Sequence, residues 1–279
     1  MDAGGVRLHV VRAGAGPAVV LLHGFPEFWY SWRHQITALA GAGFSVAAPD
    51  LRGYNLSDKP SGLDAYRLEH LVSDVAAVAT STGQPRVHVV GHDWGGVIAW
   101  TFASRYPELV DRLVIMNAPH LGRFVELVRR PPQIFRSWYV LLFQLPHLPE
   151  RLLAARDYAA VRSLFRRKPA VAGTFSRDDV ARYVEAIARP GALTAALNYY
   201  RALRLPHASA IGRHAQTEAE TLVIWGDRDQ ALTTRLLEGI ERYAPRLRIH
   251  RIPYASHWVQ SEAARVVNEV LLEFLRKRT

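Results

Sequence analysis

Three separated side chains could share one reaction. The apolar run Val87–Val90 leads directly into Gly91-His92-Asp93-Trp94-Gly95-Gly96, and a helical pattern follows. Gly-x-nucleophile-x-Gly at that place marks a sharp strand-to-helix turn that lifts its central side chain clear of a sheet. Small neighbours let the turn close, and the start of the helix favours an anion there. Asp93 therefore reads as a nucleophile rather than a plain helix cap. Ala255-Ser256-His257-Trp258 follows the last apolar run, Leu247–Ile252, and offers His257 as a base. Gly226-Asp227-Arg228-Asp229 follows the run Leu222–Trp225. Asp229 is expected to orient the His257 ring and stabilise its cation, with Asp227 shaping the turn. His250 falls inside a strand pattern and is expected to pack or face solvent.

An aspartate nucleophile restricts the chemistry. Serine attacking a saturated carbon would leave an ether that water does not readily cleave. A carboxylate leaves an alkyl ester, which water cleaves at its carbonyl, restoring the acid. Asp93 thus points to epoxides or alkyl halides and away from ester or peptide hydrolysis. The oxyanion formed in the second step needs donors. His23-Gly24-Phe25-Pro26 follows the run Ala18–Leu22, and the backbone amides of Phe25 and Trp94 are the expected pair. Pro26 has no amide hydrogen and is a candidate for a cis bond. His23 and His92 read as scaffold. Phe25, Pro26, Trp94 and Trp258 flank these groups and are the expected substrate contacts.

The elements that must position this chemistry are legible as periodicity. Short apolar runs at Val6–Val11, Ala18–Leu22, Ser45–Ala48, Val87–Val90, Leu113–Met116, Leu222–Trp225 and Leu247–Ile252 read as strands, several of them buried on both faces. Amphipathic helical patterns lie between them at about Trp32–Ala42, Leu68–Thr82, Gly95–Arg105, Thr234–Tyr243 and Ala263–Lys277. This alternation implies an α/β protein with a mostly parallel sheet and flanking helices. From Leu121 to Gln216 the pattern is helical only, broken by Pro131–Pro132, Pro146, Pro149, Pro169, Pro190 and Pro206. That block is expected to be an inserted helical cap at 123–216, dividing a core of 1–122 and 217–279.

Composition narrows the remaining classes. The chain has 279 residues, about half apolar, and no cysteine, which excludes disulfides, thiolate metal sites and a cysteine nucleophile. No run approaches the roughly 18 apolar residues of a membrane span. The first residues lack a basic segment followed by an apolar one, so a cytoplasmic location is expected. The formal net charge of +10 comes mainly from arginines spread along the chain, densest at Arg129–Arg130 and Arg166–Arg167–Lys168. A solvated basic surface is expected rather than a nucleic-acid site.

Together, HGFPEFWYSWRHQ, DLRGYNLSDKP, GHDWGG, GDRD and ASHW make the chain resemble the α/β-hydrolase-fold epoxide hydrolases across essentially the whole core. Haloalkane and fluoroacetate dehalogenases share the aspartate and several of these segments. The cap segments discriminate: Tyr139-Val140-Leu141-Leu142-Phe143-Gln144-Leu145-Pro146 and Asn198-Tyr199-Tyr200-Arg201 resemble the two that carry ring-opening tyrosines in epoxide hydrolases. The resemblance implies Tyr139 and Tyr200 as donors to the departing oxygen, and Tyr199 as packing. Asp50–Tyr54 is expected to form a loop at the pocket rim, and Asp58-Lys59-Pro60 surface structure. The expected function is conversion of a small-molecule epoxide to a vicinal diol by a monomer or homodimer, without metal or organic cofactor. The alternatives are a dehalogenase, or a non-catalytic ligand-binding relative, which a broken triad would mark.

Overall fold

The structure, a computed structural model, describes residues 1–205 and 210–276. Pro206, and Lys277 at the expected end of the last helix, lie outside the described residues. Strands β1 (Val10–Ala13), β2 (Ala18–Leu22), β3 (Ser45–Pro49), β4 (Val87–His92), β5 (Val110–Met116), β6 (Glu220–Gly226) and β7 (Leu247–Ile252) form one sheet in the order β1-β3-β2-β4-β5-β6-β7. Only β1 runs antiparallel to its neighbour. The order reverses between β2 and β4, and open parallel sheets place ligands beyond the strand ends at such a point.

Helices α1 (Arg33–Gly41) and α12 (Ala264–Arg276) cover one face, and α2 (Leu68–Thr80) and α3 (Trp94–Arg105) cover the other. Strand β2 shows why its residues are apolar without alternation. Val20 and Leu22 enter the core under α2 and α3, while Val19 and Leu21 enter the core under α1 and α12. On α12, Val267, Leu271, Phe274 and Leu275 form one buried stripe at helical spacing. Each such side chain stabilises the fold by about 1.5–3 kcal/mol. Edge strand β7 exposes Arg248 and Arg251, charges that discourage pairing with another chain.

Between β5 and β6 lies the helical insertion: α4 (Leu121–Leu127), α5 (Gln133–Arg136), α6 (Trp138–Leu142), α7 (Leu148–Arg167), α8 (Arg177–Ala188), α9 (Ala192–Ala202) and α10 (Ala210–Arg213). A kink at Ala155–Tyr158 divides α7. Ser176 and Asp179 form a reciprocal capping box at the start of α8. After β7 the short α11 (Val259–Glu262) leads into α12.

Three expectations require correction. The first strand lies at Val10–Ala13, not Val6–Val11. The amides of Arg7 and His9 donate to the side chains of Asp58 and Ser57, which removes them from a ladder. The expected helix Thr234–Tyr243 is two 3₁₀ turns, Thr234–Leu237 and Ile240–Arg242, because Gly239 takes a left-handed φ of 74° between them. Finally, Asp50–Tyr54 is buried and does not line the cavity. Arg52 pairs with Asp74 and Asp50 accepts the Trp29 amide, so this loop braces the site from behind.

Candidate active site

Parallel registration brings the ends of five strands together. Leu22 lies beside Gly91, His92 beside Met116, Met116 beside Ile224, and Gly226 beside Ile252. The loops that follow these strands carry Phe25, Asp93, Asn117, Asp229 and His257 respectively. Asp93 has φ 51° and ψ −120°, a strained conformation held by the strand before it and α3 after it. Gly24 packs directly against it; a Cβ there would collide with the Asp93 side chain, coming within 2.6 Å of Oδ1.

The Phe25 amide donates to Asp93 Oδ1 at 2.8 Å across the cis Phe25–Pro26 loop. His257 Nε2 stands 3.6 Å from Asp93 Oδ2. Its Nδ1 bonds Asp229 Oδ2 at 2.7 Å. Asp227 instead accepts from Arg251 at the sheet edge. Trp94 contributes the amide that opens α3. Burial alone would lower the His257 pKa, but the charge and hydrogen bond of Asp229, with Asp93 and Glu27 adding, push it up to about 9. Burial would raise the Asp229 carboxyl, yet His257 and the donors around it hold it below its ordinary value.

Tyr139 on α6 and Tyr200 on α9 face Asp93 from the insertion, their rings 6.1 Å apart. Phe25, Phe143 and Trp94 pack edge-on around Tyr200. Burial, then the Asp93 charge, raises both phenol pKa values far above the ordinary range. Among the described residues, neither phenol donates to a protein acceptor; Tyr200 meets only the Trp94 indole, itself a donor. The motif residues around the tyrosines stitch their segments together. Gln144 donates to the Val140 and Tyr200 carbonyls, and Arg201 donates to the Phe143 and Leu145 carbonyls while pairing with Glu150.

A cavity of about 430 Å³ collects Asp93, His257, both tyrosines, Phe25, Pro26 and Trp258, walled mainly by apolar side chains of α6 and α7. A smaller space of about 50 Å³ continues past Asp93 to Trp94 and Val97. Tyr199 is excluded from both: it is buried and its hydroxyl donates to the Arg52 carbonyl.

A family model described as the alpha/beta hydrolase fold matches residues 17–264. The chain belongs to the α/β-hydrolase fold family. Within this family it groups with epoxide hydrolases by sequence and shape. It is 36% identical to epoxide hydrolase 4 of Mus musculus over 99% of this chain and 78% of that protein. It is 42% identical to the AB hydrolase superfamily protein YfhM of Bacillus subtilis, over 100% of this chain and 97% of that one. An epoxide hydrolase of Bacillus megaterium in complex with an inhibitor superposes with a TM-score of 0.88 at 33% identity, covering 99% of each chain.

Four residues of this α/β-hydrolase site escaped the sequence reading as positioning groups. Asn117 donates to Asp229 Oδ2 and to the Gly226 carbonyl, and accepts the Gly226 amide. An asparagine directly after the apolar run that ends at Met116 was the available signal, since asparagine tolerates the left-handed φ of 37° found there. Glu27, fully buried, bonds His92, whose other ring nitrogen bonds the His257 carbonyl. Glu262 accepts from Ser256, next to His257, and from the Ala170 and Val171 amides of the insertion. Arg136 donates to the Asp229 carbonyl. His23 acts as expected of scaffold, bonding the Gly24 carbonyl and accepting the Leu51 amide.

Proposed function

We propose that the chain is an epoxide hydrolase that works through an ester on Asp93, with residues 123–216 as a cap over the core. One observation carries the reading most strongly: a carboxylate and two phenols that among the described residues have no protein acceptor face one apolar cavity. The phenols hold the epoxide oxygen, and Asp93 Oδ2 attacks a ring carbon. Raised pKa values keep Tyr139 and Tyr200 protonated, so they can stabilise the alkoxide that ring opening releases. Oδ1, already bonded to the Phe25 amide, becomes the ester carbonyl oxygen.

Ester formation also prepares the second step. In the resting site the Asp93 charge helps hold a proton on His257. Alkylation removes that charge, so His257 gives up its proton more readily and can take one from water. Asp229 stabilises the imidazolium as water attacks the ester carbonyl. The Phe25 and Trp94 amides hold the resulting oxyanion, and the diol is released.

Halide displacement would use the same carboxylate, but a departing halide needs no proton and gives the paired phenols no task. The reaction is tested by a single turnover in heavy-oxygen water. The first diol should carry unlabelled oxygen from Asp93, and the label should enter the Asp93 side chain. Immediate labelling of the diol would overturn the ester; halide release without diol formation would overturn the substrate class.

A further inference from the structure

The two densest basic groups of the sequence, Arg129–Arg130 and Arg166–Arg167–Lys168, are exposed on the inserted helices and their connections. Between residues 129 and 168 the chain carries nine basic and two acidic side chains. Both acids are engaged, Glu150 by Arg201 and Asp157 by Arg162. Among the described residues, Arg129, Arg130, Arg151, Arg156, Arg166 and Arg167 have no acidic partner.

The same stretch turns large apolar side chains outward. Phe135 and Leu141 are each 73% exposed and Trp138 62%, and Leu145, Leu148 and Leu152 continue the series. They lie close together in the chain, on the two short helices α5 and α6, the connection after them and the start of α7. Large apolar side chains exposed together in one segment mark a candidate interaction surface. Trp138 and Leu152 also line the cavity, so this exposed group reaches the cavity wall.

We propose that this face docks on an anionic lipid surface. The aromatic and leucine side chains enter the interface, the arginines meet lipid phosphates, and an apolar substrate passes from the bilayer into the cavity. Delivery rests on the proposed function; docking itself does not. Charge favours lipid over a second copy of the chain. A twofold pairing would set the same unpaired arginines against each other, whereas anionic headgroups attract them. An apolar face with Phe, Trp and Leu beside an Arg-rich polar region is the composition of an interfacial surface. Docking requires no spanning segment, and among the described residues no helix is long and apolar enough to cross a membrane.

The test is sedimentation of the full chain with vesicles of phosphatidylcholine alone or mixed with phosphatidylglycerol. Each basic residue at an anionic surface strengthens partitioning by about fivefold. Binding to mixed vesicles should therefore exceed binding to neutral ones by about tenfold or more, and should fall as salt rises. Phe135→Ser with Leu141→Ser alters no cavity-lining residue. It should lower binding by about tenfold and leave turnover of a water-soluble epoxide unchanged. Arg129→Glu with Arg130→Glu should lower binding by roughly twentyfold or more. Equal binding to both vesicle types, no binding, or binding indifferent to both double variants would overturn the proposal. So would a dimer in sedimentation velocity that Phe135→Ser with Leu141→Ser dissociates while vesicle binding is absent. Vesicle binding is read without turnover, so its failure is distinct from failure of the epoxide reading.

Discussion

Removing the two phenol hydroxyls isolates the step assigned to the cap. Tyr139→Phe and Tyr200→Phe each keep a ring that packs against Phe143. Among the described residues neither hydroxyl donates to a protein acceptor, so Tyr139→Phe should hardly move the melting temperature, while Tyr200→Phe takes the acceptor from the Trp94 indole and should cost about 1–3 kcal/mol of stability. A single preorganised donor to a developing oxyanion is worth about 2.7–4 kcal/mol, or about 10²–10³ in rate. In the proposed reaction Tyr139 and Tyr200 address the same oxygen, so the remaining phenol would cover part of a single loss. Each single variant should slow ester formation by about 10–10²-fold, and the double variant by about 10³–10⁵-fold. Rapid-quench single turnovers, with the peptide containing Asp93 measured by mass, separate ester formation from ester hydrolysis. Trp94, whose ring centroid is 5.0 Å from that of Tyr200, offers a fluorescence signal for the same event. A folded double variant that forms the ester within about tenfold of the wild-type rate would refute the role of the phenols, because that is less than one donor's worth. A loss confined to ester hydrolysis would refute it equally.

Three further outcomes follow from the geometry. Asn117→Ala removes three buried hydrogen bonds around Asp229 and Gly226; stability should fall by about 2–4 kcal/mol and kcat by about tenfold or more, measured by urea unfolding and steady-state turnover. Gly24→Ala pushes a methyl group into the Asp93 carboxylate, so turnover should nearly vanish in a protein whose circular dichroism is unchanged; normal activity would show that the loop yields freely. His257 has a folded pKa raised to about 9 from an ordinary 6.5. Its contribution to stability is therefore fully present below about 6.5 and is lost as pH rises through about 9, a loss of a few kcal/mol. Urea midpoints of wild type and His257→Gln should converge over that window, and parallel curves would contradict the assigned charge.

The legible part of the site was local in sequence. The turn around Asp93 could be read because one short segment carries the strand, the small neighbours and the helix start together. Strand β2 could be read because burial on both faces leaves an unbroken apolar run. The cap tyrosines were legible only through resemblance: Tyr139, Tyr199 and Tyr200 differ in what they touch, and no helical periodicity separates a phenol aimed at a cavity from one bonded to the Arg52 carbonyl.

The amino-acid sequence by itself determined the order of strands and helices, the carboxylate at the turn, and the histidine and aspartate that follow the last two strands. Local backbone preference and side-chain periodicity are sufficient for these. Tertiary packing decided the distance at which Asp229 meets His257, how Asn117 and Glu262 hold the site across 112 and 92 residues of chain, and that large apolar side chains of the insertion are left exposed. Such pairings arise only when distant segments fold against one another, because hydrogen bonds and burial depend on distance in space and not on position along the chain.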